Sequence, residues 1–112
     1  MQNIVPHLWF DTQAVEAANW YVSIFAHSAI TQVSQLHDTP SGDVDTVEFT
    51  LDGVDLSAIS AGSFFSLNST ISLMVTCRSV DEVDALYAQL GKDASILMPL
   101  GAYPFSKRYV WL

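Results

Sequence analysis

The dipeptide Asp52-Gly53 constrains this chain more than any other feature. It stands between two runs of alternating hydrophobicity, and glycine tolerates the positive φ of the type I′ turn whose twist matches two paired strands. With these residues as a two-residue turn, Leu51 faces Val54, Phe49 faces Leu56 and Val47 faces Ala58. Every pair on that face is apolar. The other face pairs Thr50 with Asp55, Glu48 with Ser57 and Thr46 with Ile59, a mainly polar set. A one-residue slip would exchange the two faces, so the hairpin has one register, with one side for a core and the other for water or a cavity.

The segments before the hairpin follow the same logic. NIVPHLWF (residues 3–10) is aromatic and branched, with Pro6 marking an edge strand or a strand start. Asp11 or Thr12 is placed to cap a helix. Ala14, Ala17, Ala18, Tyr21, Ile24 and Phe25 follow at i, i+3, i+4, i+7, i+10 and i+11, the stripe of a helix buried on one side. SAITQVSQL and DVDTVEFTL then read as strands separated by the loop signal DTPSGD. GSFFSLNST (residues 62–70) has linker composition.

After it the order begins again. ISLMVTC reads as a strand, Ser79 and Glu82 form an S-x-x-E capping box, and Val83, Leu86, Tyr87 and Leu90 carry a helical stripe up to Gly91. SILMPL and SKRYVWL supply two more strands. The chain is therefore an α+β fold of one domain, with a βαβββ module over residues 1–61, linker 62–70, and a second module over 71–112 that is one strand short. A strand ending at Leu112 has one edge to pair with SILMPL and another to be covered, for which a second copy of the chain is the simplest expectation.

Composition narrows the function classes. Twelve acids against four bases give a net charge of −8, which argues against nucleic acid as a partner. Cys77 is the lone cysteine, which excludes an intrachain disulfide and fits a reducing, cytoplasmic setting. No stretch reaches the ~20 apolar residues that span a bilayer, so no membrane partner is expected.

The run PHLWFDTQAVEAANWYVSIF resembles the amino-terminal signature of PhnB-like proteins of the glyoxalase/bleomycin-resistance, or vicinal oxygen chelate, superfamily. The resemblance rests on Pro6, Leu8, Phe10, Glu16, Ala17, Trp20, Tyr21 and Phe25, and again on the later MPLGAYPFSKRY. It implies two βαβββ modules with curved mixed sheets, helices on the convex face and a cup for a small-molecule ligand, in a homodimer. It also implies a further hairpin and strand after Tyr109, roughly 8 to 10 residues that this sequence does not contain. Some proteins of this kind are labelled demethylubiquinone methyltransferases. The five glycines here never come within a G-x-G spacing, so a glycine-rich methyl-donor loop is not expected.

If Leu8 and Phe10 face the helix, His7 and Trp9 face the cup. Metal-dependent relatives place His and Glu ligands on cup-facing positions, which makes His7 and Glu48 weak metal candidates. The second half holds no histidine, and Glu82 is explained as a cap. No cofactor is therefore expected, a divalent metal being the alternative. His7, Trp9, Glu48, Ser57, Phe105 and Trp111 are the expected ligand-binding set. Lys107 and Arg108 could meet an anion at the cup's mouth, but adjacent bases on a strand point to opposite faces. Trp20, Tyr21 and Phe49 are assigned to the core, Cys77 to the end of a buried strand, His27 to a helix end and His37 to a loop. Two functions stand side by side: a metal-independent binding or sequestering protein, and a divalent-metal lyase, isomerase or dioxygenase of the same superfamily. A dimerisation domain whose cup is filled by its own aromatics is a third.

Overall fold

The computed structural model describes residues 3–112. They form an α+β fold with β1 (His7–Phe10), α1 (Ala14–Ile24), β2 (Ala29–Thr39), β3 (Gly42–Leu51), β4 (Val54–Ser60), α2 (Val80–Leu90), β5 (Met98–Tyr103) and β6 (Ser106–Trp111). The chain divides into two compact units, Met1–Ile71 and Ser72–Leu112.

The first unit holds a curved mixed sheet in the order β1-β4-β3-β2. The hairpin sits where the dipeptide demands, with Asp52 at φ 47° and Gly53 at φ 83°. Its register is the expected one, running from Leu51 opposite Val54 to Thr46 opposite Ile59. β1 pairs with β4 in parallel, His7 against Ser57 and Leu8 against Ala58. β2 pairs with β3 antiparallel, with irregularities between Ile30 and Gln32 and between Leu36 and Thr39.

The core lies between this sheet and α1. Val47, Phe49, Leu56 and Ala58 from the apolar hairpin face meet Ala14 and Ala18 of the helix, all 3% exposed or less. The two alanines let the helix backbone lie close to the sheet, while Leu8, Phe10, Val15 and Val22 close the margins.

Several local expectations change. Neither Asp11 nor Thr12 caps α1. Gln13 holds the cap position without a side-chain bond, and the Ala14 amide instead donates to the Ser60 hydroxyl at 3.0 Å. The end of β4 thus supplies what the local sequence does not. Trp20 is 43% exposed rather than core, lying against Tyr21 on the helix surface. His37 belongs to β2, not to a loop, and its ring meets Asp43 at 3.2 Å.

The second unit is built from α2 and the β5-β6 hairpin. Ser79 caps α2 as expected, its hydroxyl accepting from the Glu82 amide at 3.2 Å. Gly91 ends the helix in the right-handed region, and the need for glycine is steric: a Cβ there would stand 2.6 Å from the Tyr87 carbonyl oxygen. Arg108 Nε donates to Asp84 at 2.8 Å, fastening β6 to the helix. Residues 71–77, expected as a strand, take no regular structure. In the first unit β1 is paired by β4, whereas residues 71–77 pair with no strand among the described residues. The second unit is thus αββ rather than βαββ.

Two substitutions test this account. Gly53→Ala meets no neighbouring atom, so its cost is the left-handed backbone alone, about 1–2 kcal/mol in urea unfolding. Ser60→Ala removes the bond to the Ala14 amide and is expected to cost about 1 kcal/mol by the same measurement.

Candidate functional site

Because the register is fixed, the residues opposite the core form rows across the first sheet. One row joins all four strands: His7 beside Ser57, Ser57 beside Glu48, and Glu48 beside Gln32. Alternation along each strand turns this row away from α1, since Leu8, Ala58 and Val47 take the helix side. The His7 Nδ1 and the Ser57 hydroxyl are hydrogen-bonded at 3.2 Å. The next row contains Trp9, Ile59, Thr46 and Ser34. Trp9 is held by two contacts, its indole N–H donating to the Gly62 carbonyl at 2.8 Å and its ring meeting Phe65 edge-on at 5.1 Å.

A cavity of about 230 Å³ opens beside the first row, lined by Thr31, Glu48, Asp55 and Ser57, by Phe49 and Leu56 between them on the same strands, and by Asn3 and Val5 from the segment preceding β1. Its walls mix hydrogen-bonding and apolar groups, and its charged groups, Glu48 and Asp55, are acidic. Glu48 and Ser57 belong to both the row and the cavity.

Four of the expected site residues, His7, Trp9, Glu48 and Ser57, therefore share one face of the first unit. Phe105 and Trp111 belong to the second. Phe105 sits at the β5-β6 turn, 64% exposed, stacked with Tyr103 at 5.4 Å and edge-on to Tyr109 at 5.0 Å. Trp111 lies opposite Met98 in the hairpin. Gln32, Thr31 and Asp55 were not singled out from the sequence. Asp55 was legible in the hairpin register, whereas Gln32 and Thr31 depend on how β2 slips at its irregularity.

As a metal site the row falls short. His7 and Glu48 supply two donors, where a bound catalytic ion ordinarily takes three from the protein. Among the described residues no three His, Cys, Asp or Glu side chains gather into a metal-binding group. The donor set does not fit a resident divalent ion.

Cys77 does not end a buried strand; it lies partly exposed in the irregular segment before α2. Its thiol is pushed above the ordinary cysteine range by desolvation first, and then by the charge and hydrogen bond of the Glu82 carboxylate. Glu82 thus performs one half of the capping box with its amide and turns its carboxylate to the thiol. Such a thiol is poorly suited to nucleophilic work.

The fold, with its polar sheet face opposite a helix-covered core, is that of a small α+β protein with a candidate binding face on its first sheet. The sequence profile of the 3-demethylubiquinone-9 3-methyltransferase family matches residues 2–112, and the chain belongs to that family. A PhnB protein of solved structure from Bacillus cereus is 36% identical, with a TM-score of 0.86, and the match covers 98% of this chain and 89% of that one. A protein of solved structure from Staphylococcus aureus is 28% identical over 99% of this chain and 87% of that one, with a TM-score of 0.43. No curated protein is significantly similar.

The thiol chemistry can be measured directly. Alkylation of Cys77 by iodoacetamide at pH 8 is expected to run several-fold slower than that of a free cysteine peptide, and Glu82→Gln to accelerate it.

Proposed function

We propose that this protein binds or sequesters a small organic molecule on the sheet face of its first unit, in the manner of the glyoxalase/bleomycin-resistance superfamily. It does so without an obligatory metal, as a homodimer in the cytoplasm. The observation that carries the reading is the polar row His7-Ser57-Glu48-Gln32 running into a lined cavity. About 230 Å³ lies below the range of roughly 300–1,000 Å³ for drug-sized ligands, so the occupant is a small metabolite-like molecule.

Charge narrows its chemistry. Residues 1–71 contain eight acids and no lysine or arginine, so a phosphate or carboxylate would enter without a cationic partner. A neutral or cationic molecule rich in hydrogen-bond donors suits Glu48, Asp55 and the Ser57 hydroxyl. Trp9, partly exposed in the adjoining row, offers a flat apolar neighbour.

The family's description names a methyl transfer. This chain carries no glycine-rich strand-to-helix loop of the sort that cradles a nucleotide-like donor, so methyl transfer is not the reading adopted. The divalent-metal enzyme needs a third ligand that His7 and Glu48 lack.

Thermal-shift screening followed by calorimetry tests the proposal, using small aromatic and aliphatic amines against matched carboxylates and phosphates. An amine or a neutral donor-rich compound should raise the melting temperature, and Glu48→Gln should weaken an amine about tenfold, the effect of losing one charge-assisted hydrogen bond. A preference for anions, or stoichiometric bound metal lost in His7→Ala, would overturn it.

A further inference from the structure

Trp9 stands in the row next to His7, Ser57 and Glu48, on the sheet face turned away from α1. Its indole N–H is already engaged, donating to the Gly62 carbonyl at 2.8 Å. What Trp9 has left to offer a ligand is a ring surface and not a hydrogen bond.

Phe65 supplies a second ring. The two centroids lie 5.1 Å apart with the planes at 85°, so the rings form the walls of a corner. Phe65 is 66% exposed and Trp9 partly exposed, and both rings still present surface to water. A third, planar ring entering the corner can stack on one wall and meet the other edge-on, and both are favoured arrangements of aromatic pairs. A saturated ring gains only the area it buries.

The segment that carries Phe65 begins at a fixed point. Gly62, at φ 96°, donates its amide to the Asp11 carbonyl at 3.2 Å while its own carbonyl receives the indole. Few residues other than glycine take that φ without strain. Residues 63–68 then form neither helix nor strand, and they are polar apart from Phe64, Phe65 and Leu67. Of these three, Phe65 is the one set against Trp9.

The corner and the acids of the site lie on one face at a definite spacing. From Trp9 to Glu48 is two residues along the strands and two strands across, about 12 Å between backbones at the usual rise and strand separation. Both side chains reach inward from those ends. Charge sets the sign of the far group, since residues 1–71 contain no lysine or arginine and Glu48 favours a cation.

We infer that Trp9 and Phe65 form a ring-binding subsite beside the polar row, and that the ligand is an arylalkylamine. Its planar ring occupies the corner, and a short flexible chain carries its basic nitrogen to Glu48. The inference rests on the binding function proposed above and names the class of molecule bound.

Calorimetry of the purified chain with phenylpropylamine and cyclohexylpropylamine tests the subsite, because the two amines share chain and charge and differ in the ring. Phenylpropylamine is expected to bind about fivefold tighter, the size of an aromatic-pair contact. Phe65→Ala, a change at an exposed position, should bring the two amines to within about twofold of each other. Glu48→Gln should weaken both and keep their ratio. Chymotrypsin cleavage after Phe64, Phe65 and Leu67 gives a second reading, which saturating phenylpropylamine should slow several-fold. Amines that bind with no preference for the planar ring, a preference that survives Phe65→Ala, or cleavage that saturation leaves unchanged would overturn the subsite and leave the binding function standing. Failure of both amines to bind would overturn the two together.

Discussion

The register of β3 against β4 is the constraint on which the first unit depends. Asp52 and Gly53 hold it by adopting backbone angles that few other pairs adopt without strain. Once Phe49 lies opposite Leu56 and Val47 opposite Ala58, the apolar residues have one face and the helix has one place to pack. The same pairing sets Glu48 beside Ser57 on the reverse side. Core and candidate site are therefore two sides of one registration, and neither can be shifted without the other.

The two units solve their stability differently. The first has a small dense centre in which Ala14 and Ala18 admit the sheet closely. Hydrophobic burial of this kind tolerates a large surplus of acid on the surface, because the acids stay in water. The second relies on a capped helix, a carboxylate-guanidinium bond and an aromatic group formed by Tyr103, Phe105 and Tyr109. These are directional contacts at partly exposed positions, and they order a surface more than they bury one.

What could be read from the sequence was what local chemistry determines. The turn residues, the two-residue alternation around them and the Ser79 cap act over a few positions, and the structure has them where the residues indicate; of the expected α1 stripe only Ala14 and Ala18 enter the core, where Val15 and Val22 rather than Ala17, Tyr21, Ile24 and Phe25 pack beside them. Periodicity assigned Trp20 to the core beside Tyr21, but the helix turns Ala14, Val15, Ala18 and Val22 to the sheet and leaves Trp20 outside. What could not be read depends on distant partners. The hydroxyl that serves α1 comes from Ser60, and the place of Gln32 in the polar row depends on an irregularity in β2. The strand pattern of residues 71–77 was real as a pattern, but a strand is a relation between two backbones, and this segment pairs with none among the described residues.

The bond from the Ala14 amide to Ser60 spans 46 positions, and it has a bearing on the order in which the molecule assembles. An eleven-residue helix is marginal by itself, and α1 has no side-chain cap nearby. During synthesis α1 must wait, unfinished, until β4 has emerged, turned at Gly53 and brought its last serine back to the helix start. Completion of the helix start is thereby coupled to closure of that long loop.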